Sequence, residues 1–106
     1  WVYHSPPSDS PLCNTGERSF PDPDLAAWID RWRPDLVICG HIHQAPWVAG
    51  GAWIDQRDST WLINAGHQPG PMPAHVVIDL DPVSGQATAE WVALPDRDLV
   101  DMPFTT

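Results

Sequence analysis

The sequence predicts an α/β fold in which a βαβ unit is followed by an antiparallel meander of strands. Three observations support this prediction. One amphipathic helical segment lies between two short apolar segments near the start of the chain. The second half consists of short alternating segments, and proline or glycine separates most of these elements. A βαβ unit places its strands parallel, whereas strands joined by tight turns pair antiparallel.

The chain opens with an apolar segment, residues 1–3, which predicts a short strand with His4 at its carboxyl end. Residues 5–7 end this strand, because proline has no N–H for a strand ladder. Residues 8–21 contain proline, glycine and aspartate without hydrophobic periodicity, which predicts a loop.

A helix is predicted to begin after Asp22, whose side chain can cap the first turn, with Pro23 at the first helical position. Pro34 ends it. Four apolar residues in between share one helical face, with spacing i, i+3, i+4 and i+7: Leu25, Trp28, Ile29 and Trp32. That face is expected to pack into the core.

The apolar run Leu36–Cys39 predicts the second strand, and Gly40 after it permits a sharp turn and a close approach. In an extended segment, His41 and His43 would leave the same face, with their Cα atoms roughly 6.6 Å apart. This spacing suits two ions about 3.5–4 Å apart better than one. In open α/β sheets, ligands bind at the carboxyl ends of the strands. His4, His41 and His43 are therefore expected at one edge of the sheet, which we call the rim.

The second half predicts four antiparallel strands. Residues 52–56 and 60–64 alternate around a polar turn and predict a hairpin. Residues 75–81 and 87–92 predict a second pair of strands. The glycine-rich and proline-rich stretch at residues 65–73 cannot be regular.

Three segments resemble, in the right order, signatures of the calcineurin-like metallophosphoesterases. Trp1-Val-Tyr-His-Ser-Pro-Pro7 is similar to a signature in which a strand ends in a metal-binding histidine. Gly40-His-Ile-His43 resembles the Gly-His-x-His signature, and Trp61-Leu-Ile-Asn-Ala-Gly66 resembles the Asn-x-Gly segment downstream of it. The resemblance implies a partial metallophosphoesterase α/β sandwich. Residues 1–94 would be the C-terminal half of that domain, and residues 95–106 a C-terminal tail.

The same resemblance implies a dinuclear metal site. His4 and His41 would bind one ion, and His43 the other. Imidazole ligands favour Mn, Fe, Zn or Co over Mg and Ca. The intact protein would hydrolyse a phosphate ester of a small molecule or nucleotide, and no catalytic residue beyond the ligands is identified in this chain. His67 is a candidate for contacting the substrate phosphate, the other interpretation being an exposed loop histidine.

The family's N-terminal signatures, Asp-x-His, Gly-Asp-x-x-Asp and Gly-Asn-His-Asp/Glu, do not occur in the 106 residues. They carry the remaining ligands, so we expect them upstream of Trp1 and expect the chain alone to be inactive. We also expect that, without upstream strands, Trp1, Tyr3 and Val37 would meet water.

Two other classes of function stay open. A relative of the same fold could act as a non-catalytic scaffold or binding module, although such a protein has no use for three converging imidazoles. A single structural zinc site is a weaker alternative, because Cys13 and Cys39 lack metal-ligand spacing and a closed site uses four ligands. Cys39 is expected to be a small buried apolar residue.

The composition limits the possible partners. Fourteen Asp and Glu residues stand against five Arg and no Lys, which argues against sequence-independent binding of nucleic acid. No apolar run is long enough to cross a membrane and no cleavable signal pattern occurs, so the expected location is the cytoplasm.

Overall fold

Two three-stranded sheets pack face to face in the computed structural model, which describes residues 1–104, and a helix covers the outer side of the first sheet. The chain forms α1 (Pro23–Trp32), β1 (Leu36–Cys39), β2 (Ile54–Arg57), β3 (Thr60–Asn64), β4 (His75–Leu80), β5 (Ala87–Ala93) and β6 (Asp96–Asp101). Short 3₁₀ turns lie at Pro11–Cys13 and Ala45–Trp47. No helix within residues 1–104 combines the length and the apolar character needed to span a bilayer.

Helix α1 begins and ends as predicted. The Asp22 carboxylate accepts a hydrogen bond from the backbone N–H of Leu25, and Pro23 occupies the first turn. Arg33 takes a left-handed conformation, with φ 46°, and stops the helix. The chain therefore enters β1 directly after α1.

The predicted burial of the helical stripe is only half right. Leu25 and Ile29 are buried against the first sheet, but Trp28 and Trp32 are 46% and 63% exposed. The Trp28 ring meets Tyr3 edge-on at the margin of the sheet, with ring centroids 6.0 Å apart. The helix thus rests on a sheet too narrow to cover its whole apolar face.

The predicted first strand is reduced to a single parallel bridge between Val2 and Ile38. The bridge consists of the bonds from Ile38 N–H to the Trp1 carbonyl and from Tyr3 N–H to the Ile38 carbonyl, and the bond from Gly40 N–H to the His4 carbonyl extends it. Val2 is 85% exposed and lies at the open edge. Val37 in β1 is fully buried, so the expectation that it would meet water is wrong, because α1 and β3 pack against it.

The hairpin β2–β3 belongs to the first sheet and not to the meander, which corrects the predicted topology. Strand order is β1-β3-β2, with β3 parallel to β1 and antiparallel to β2. Both faces of β3 are buried: Leu62 packs under the helix and Ile63 against the second sheet. A strand with two apolar faces belongs in the centre of a sheet.

The second sheet is an antiparallel meander in the order β4-β5-β6. Three alanines of β5 lie in the core between the sheets, where they leave room for the large rings of Trp53 and Trp91. The Trp91 indole N–H donates a hydrogen bond to the Ala65 carbonyl at 2.9 Å. This bond connects the second sheet to the loop that follows β3.

Strand β6 lies within residues 95–106, for which the sequence predicts a tail. It pairs along its length with β5, and Met102 after it is fully buried. The Phe104 N–H donates to the Gly85 carbonyl and holds the end of the chain to the preceding turn. Residues 105 and 106 lie outside the described residues, and the division of domains at residue 94 stays a prediction.

Candidate metal centre

His4 and His41 lie next to each other at the carboxyl end of β1. The Gly40 N–H donates to the His4 carbonyl at 2.9 Å, which aligns the first segment with the end of the strand. The two imidazole rings are tilted by 48° and their centroids are 4.6 Å apart. The convergence that topology predicts for this pair is therefore present.

The last residue of β1, Cys39, does not belong to the set of available ligands. Its side chain is buried, and burial raises the pKa of the thiol to about 12. Metals bind the thiolate form of cysteine, which this environment disfavours. The expectation that Cys39 is a small buried apolar residue is confirmed.

The turn after β1 differs from the predicted extended geometry. His41 has a left-handed backbone, with φ 66°, and the Ile42 N–H donates to the Gly40 carbonyl at 2.7 Å. Ile42 is buried between the two exposed histidines. A Cβ on Gly40 would meet nothing nearer than the His4 carbonyl oxygen, at 3.9 Å. The left-handed backbone conformation therefore occurs at His41. Glycine is not required at position 40 to let the His4 segment pack against it.

A second imidazole pair is formed by His43 and His67. Their ring centroids are 5.3 Å apart and the rings are inclined by 69°. The backbone N–H of His67 donates to the His43 carbonyl at 3.0 Å. From the sequence, His67 is a candidate phosphate contact and is not connected with His43.

The side chain of Asn64, at the end of β3, hydrogen-bonds to the turn after β1 and to the loop after β3. Its buried side-chain amide donates to the carbonyls of Ile42, at 2.9 Å, and Leu12, at 3.3 Å. Its Oδ1 atom accepts the N–H of Gly66 at 3.0 Å. One side chain therefore fixes the segment before His43 and the segment before His67.

Gly66 is the glycine whose conformation the site needs. Its φ is +72°, and a Cβ there would lie 2.7 Å from ring atoms of Pro46 and Trp47. No other residue type fits this turn without displacing the 3₁₀ segment beneath it. The parallel pairing of β1 and β3, with Cys39 beside Asn64, explains why the histidines after both strands share a rim.

The four histidines at this rim are all exposed and form two pairs. Nowhere in residues 1–104 do three or more His, Cys, Asp or Glu side chains form a group that could hold a metal ion. Two imidazoles fit two positions around Zn²⁺ or a similar ion, which usually has four ligands in proteins. The donor set therefore fits a transition metal in part, and other ligands must complete the coordination.

The remaining histidine and a cavity on the second sheet lie apart from these pairs. His75 begins β4, with Nδ1 3.0 Å from the Pro73 carbonyl. A cavity of about 480 Å³ lies along the second sheet and includes Asp79, Asp81 and Asp101 in its lining, but none of the histidines. It offers no additional ligand to the histidine pairs.

Comparison with known proteins identifies the fold but no close relative. No protein-family model matches the sequence, and no curated protein matches it. Vacuolar Protein Sorting 29 from Cryptosporidium parvum is similar in structure, with 15% identity over 89% of this chain and 49% of that chain, at a TM-score of 0.51. Wild-type Vps29 complexed with Zn²⁺ from Entamoeba histolytica has 20% identity over 76% of this chain and 47% of that chain, at a TM-score of 0.48.

The chain spans about half the length of these two structures. Vps29 has the calcineurin-like metallophosphoesterase fold. The likeness to the Cryptosporidium structure shows that this chain has part of that fold.

Proposed function

We propose that this chain supplies three imidazole ligands to a dinuclear phosphoesterase centre. His4 and His41 would bind one divalent ion, and His43 the other. The observation that carries the proposal is the pairing of His4 with His41 beyond the carboxyl end of β1, with ring centroids 4.6 Å apart. In α/β sheets this is the edge at which ligands bind.

The residues of this chain position the imidazoles and leave them accessible. The hydrogen bond from Gly40 to the His4 carbonyl fixes one ring beside the other, and Asn64 fixes the turn between His41 and His43. When bound, two Mn, Fe, Zn or Co ions would polarise the phosphoryl oxygens and activate water for attack on phosphorus. The proposed substrate is the phosphate ester of a small molecule or nucleotide, which would meet the ions at the exposed histidines.

The remaining ligands would be carboxylate and amide oxygens from residues outside this chain. Residues 1–104 bring no third His, Cys, Asp or Glu side chain to either imidazole pair, which supports this part of the proposal. We therefore propose that the 106-residue chain alone hydrolyses phosphate esters no faster than free metal in buffer.

The test measures hydrolysis of p-nitrophenyl phosphate and bis-p-nitrophenyl phosphate by the complete gene product with Mn²⁺. His41→Gln should remove most of the activity, because loss of even an outer partner of a ligand costs about 10–100-fold. His75→Gln is the matched control and should retain it. Equal turnover by wild type and His41→Gln, or no metal-dependent turnover by either, would refute the enzymatic proposal.

A second candidate is a non-catalytic scaffold of the same fold. It is favoured by the name of the similar Cryptosporidium parvum protein, which refers to protein sorting. A complete gene product that binds no divalent metal and hydrolyses neither ester would favour this candidate. Retention of both ions together with turnover would exclude it.

A further inference from the structure

We propose that His67 is a fourth imidazole ligand at this rim and binds the same divalent ion as His43. The proposal deepens the proposed function and rests on it for the catalytic use of that ion. From this chain, binding of the ion requires only the two side chains. It replaces a phosphate contact as the role of His67, and it assigns two imidazoles from this chain to each of the two ions.

The distance between the rings fits a shared ion. With a metal–nitrogen distance of about 2.0–2.1 Å, two imidazoles on one tetrahedral ion have ring centroids roughly 5 Å apart. The observed separation of the His43 and His67 centroids is 5.3 Å, and that of His4 and His41 is 4.6 Å. Both pairs therefore lie near the separation that shared coordination requires.

The backbone beneath the two rings is fixed before any ion arrives. The His67 N–H donates directly to the His43 carbonyl. The Asn64 side chain also hydrogen-bonds to the residue before each histidine: it donates to the Ile42 carbonyl and accepts from the Gly66 N–H. The tight fit of Gly66 against Pro46 restrains the turn further. Ligands held in this way lose little conformational entropy when they bind an ion.

The chemistry of the pair selects the class of ion. Neither ring has a carboxylate among the described residues with which it forms a three-ligand group. Neutral imidazole suits Zn²⁺, Co²⁺, Ni²⁺ and Cu²⁺, whereas Mg²⁺ and Ca²⁺ prefer oxygen. The competing explanation is an edge-to-face contact between rings, which has the same range of centroid distances, about 4.5–7 Å, and needs no ion.

The experiment titrates the 106-residue chain with Zn²⁺ alone and follows the imidazole nitrogens by ¹H–¹⁵N NMR. In the wild type, the ring nitrogens of His43 and His67 should shift together, with one common binding curve. In His67→Gln, the affinity measured at His43 should fall by more than roughly 10-fold, since loss of an outer-shell partner alone costs about that much. His75→Gln should leave all curves unchanged.

The outcomes separate this proposal from the proposed function. A His67 ring that does not shift in the wild type, or an unchanged affinity at His43 in His67→Gln, overturns the ligand role of His67 and leaves His43 as a single ligand. His4 and His41 should titrate normally in His67→Gln. This internal check, together with the backbone spectrum, shows that the variant is folded. If Zn²⁺ shifts the His43–His67 pair but the complete gene product hydrolyses no ester, the enzymatic proposal fails and the ligand assignment stands.

Discussion

At the scale of single residues, the rim depends on two left-handed backbone positions, His41 and Gly66. Glycine adopts this conformation without strain, whereas a residue with a Cβ pays about 1–3 kcal/mol. His41 therefore carries backbone strain at the point where it meets His4. Residues held in this way are concentrated at functional sites, where the surrounding structure maintains them.

Gly66→Ala should destabilise the protein by at least ~1–3 kcal/mol, which is the cost of a left-handed conformation for a residue with a Cβ. The overlap of the new Cβ with Pro46 and Trp47 should increase this cost. It should also separate His67 from His43. Gly40→Ala is the matched control at the same rim, because its Cβ would have space and its φ is not left-handed. Urea unfolding measures both. Equal stabilities of the two variants would contradict the requirement for glycine at position 66.

The sequence predicts part of this detail. The Asn-x-Gly segment correctly indicates a turn near the site, since asparagine bonds to nearby backbone and glycine accepts positive φ. The left-handed turn at His41 could not be predicted, because positive φ is uncommon for residues with a Cβ, although histidine is among those that adopt it more often. For the same reason, the expectation that Gly40 makes the sharp turn fails.

At the scale of elements, the local patterns predict where helices and strands lie better than how they pair. The helix cap at Asp22 and the strand Leu36–Cys39 agree with the structure, because capping and apolar runs are local signals. The placement of β3 beside β1 is a contact between distant segments and leaves no local pattern. With that pairing known, His67 could have been placed at the rim from the sequence.

Strand β6 was missed for a related reason. Its residues are mostly charged and exposed, so no alternation of apolar side chains is present. What holds it is the backbone ladder to β5 and the burial of the residue that follows, Met102. A backbone ladder has no signature in side-chain pattern.

Met102→Ala should therefore destabilise the protein by about 2–5 kcal/mol, the usual cost of truncating a fully buried methionine. Met72→Ala is the matched control, since Met72 is 51% exposed and its truncation leaves no cavity. Thermal or urea unfolding of both variants provides the comparison. A near-neutral Met102→Ala would mean that residues after β5 do not contribute to the core and behave as the tail expected from the sequence.

At the scale of the whole molecule, the rim joins segments that are far apart in sequence. His4 comes from the segment bridged to β1, His41 and His43 from the turn after β1, and His67 from the loop after β3. Trp91 connects that loop to the second sheet through the Ala65 carbonyl, so both sheets support the site. The meeting of His4 and His41 could be predicted because strand order and parallel pairing bring their carboxyl ends together.

Metal analysis of the complete gene product purified with Mn²⁺ most directly tests the proposal that His4 and His41 share one ion while His43 binds another. His4→Gln and His41→Gln should each reduce two ions per chain to one. The double variant of these two should still retain one ion, because both side chains serve the same site, whereas His4→Gln combined with His43→Gln should retain none. Two ions in every variant, or complete loss in the His4–His41 double variant while each single variant keeps one, would contradict the assignment.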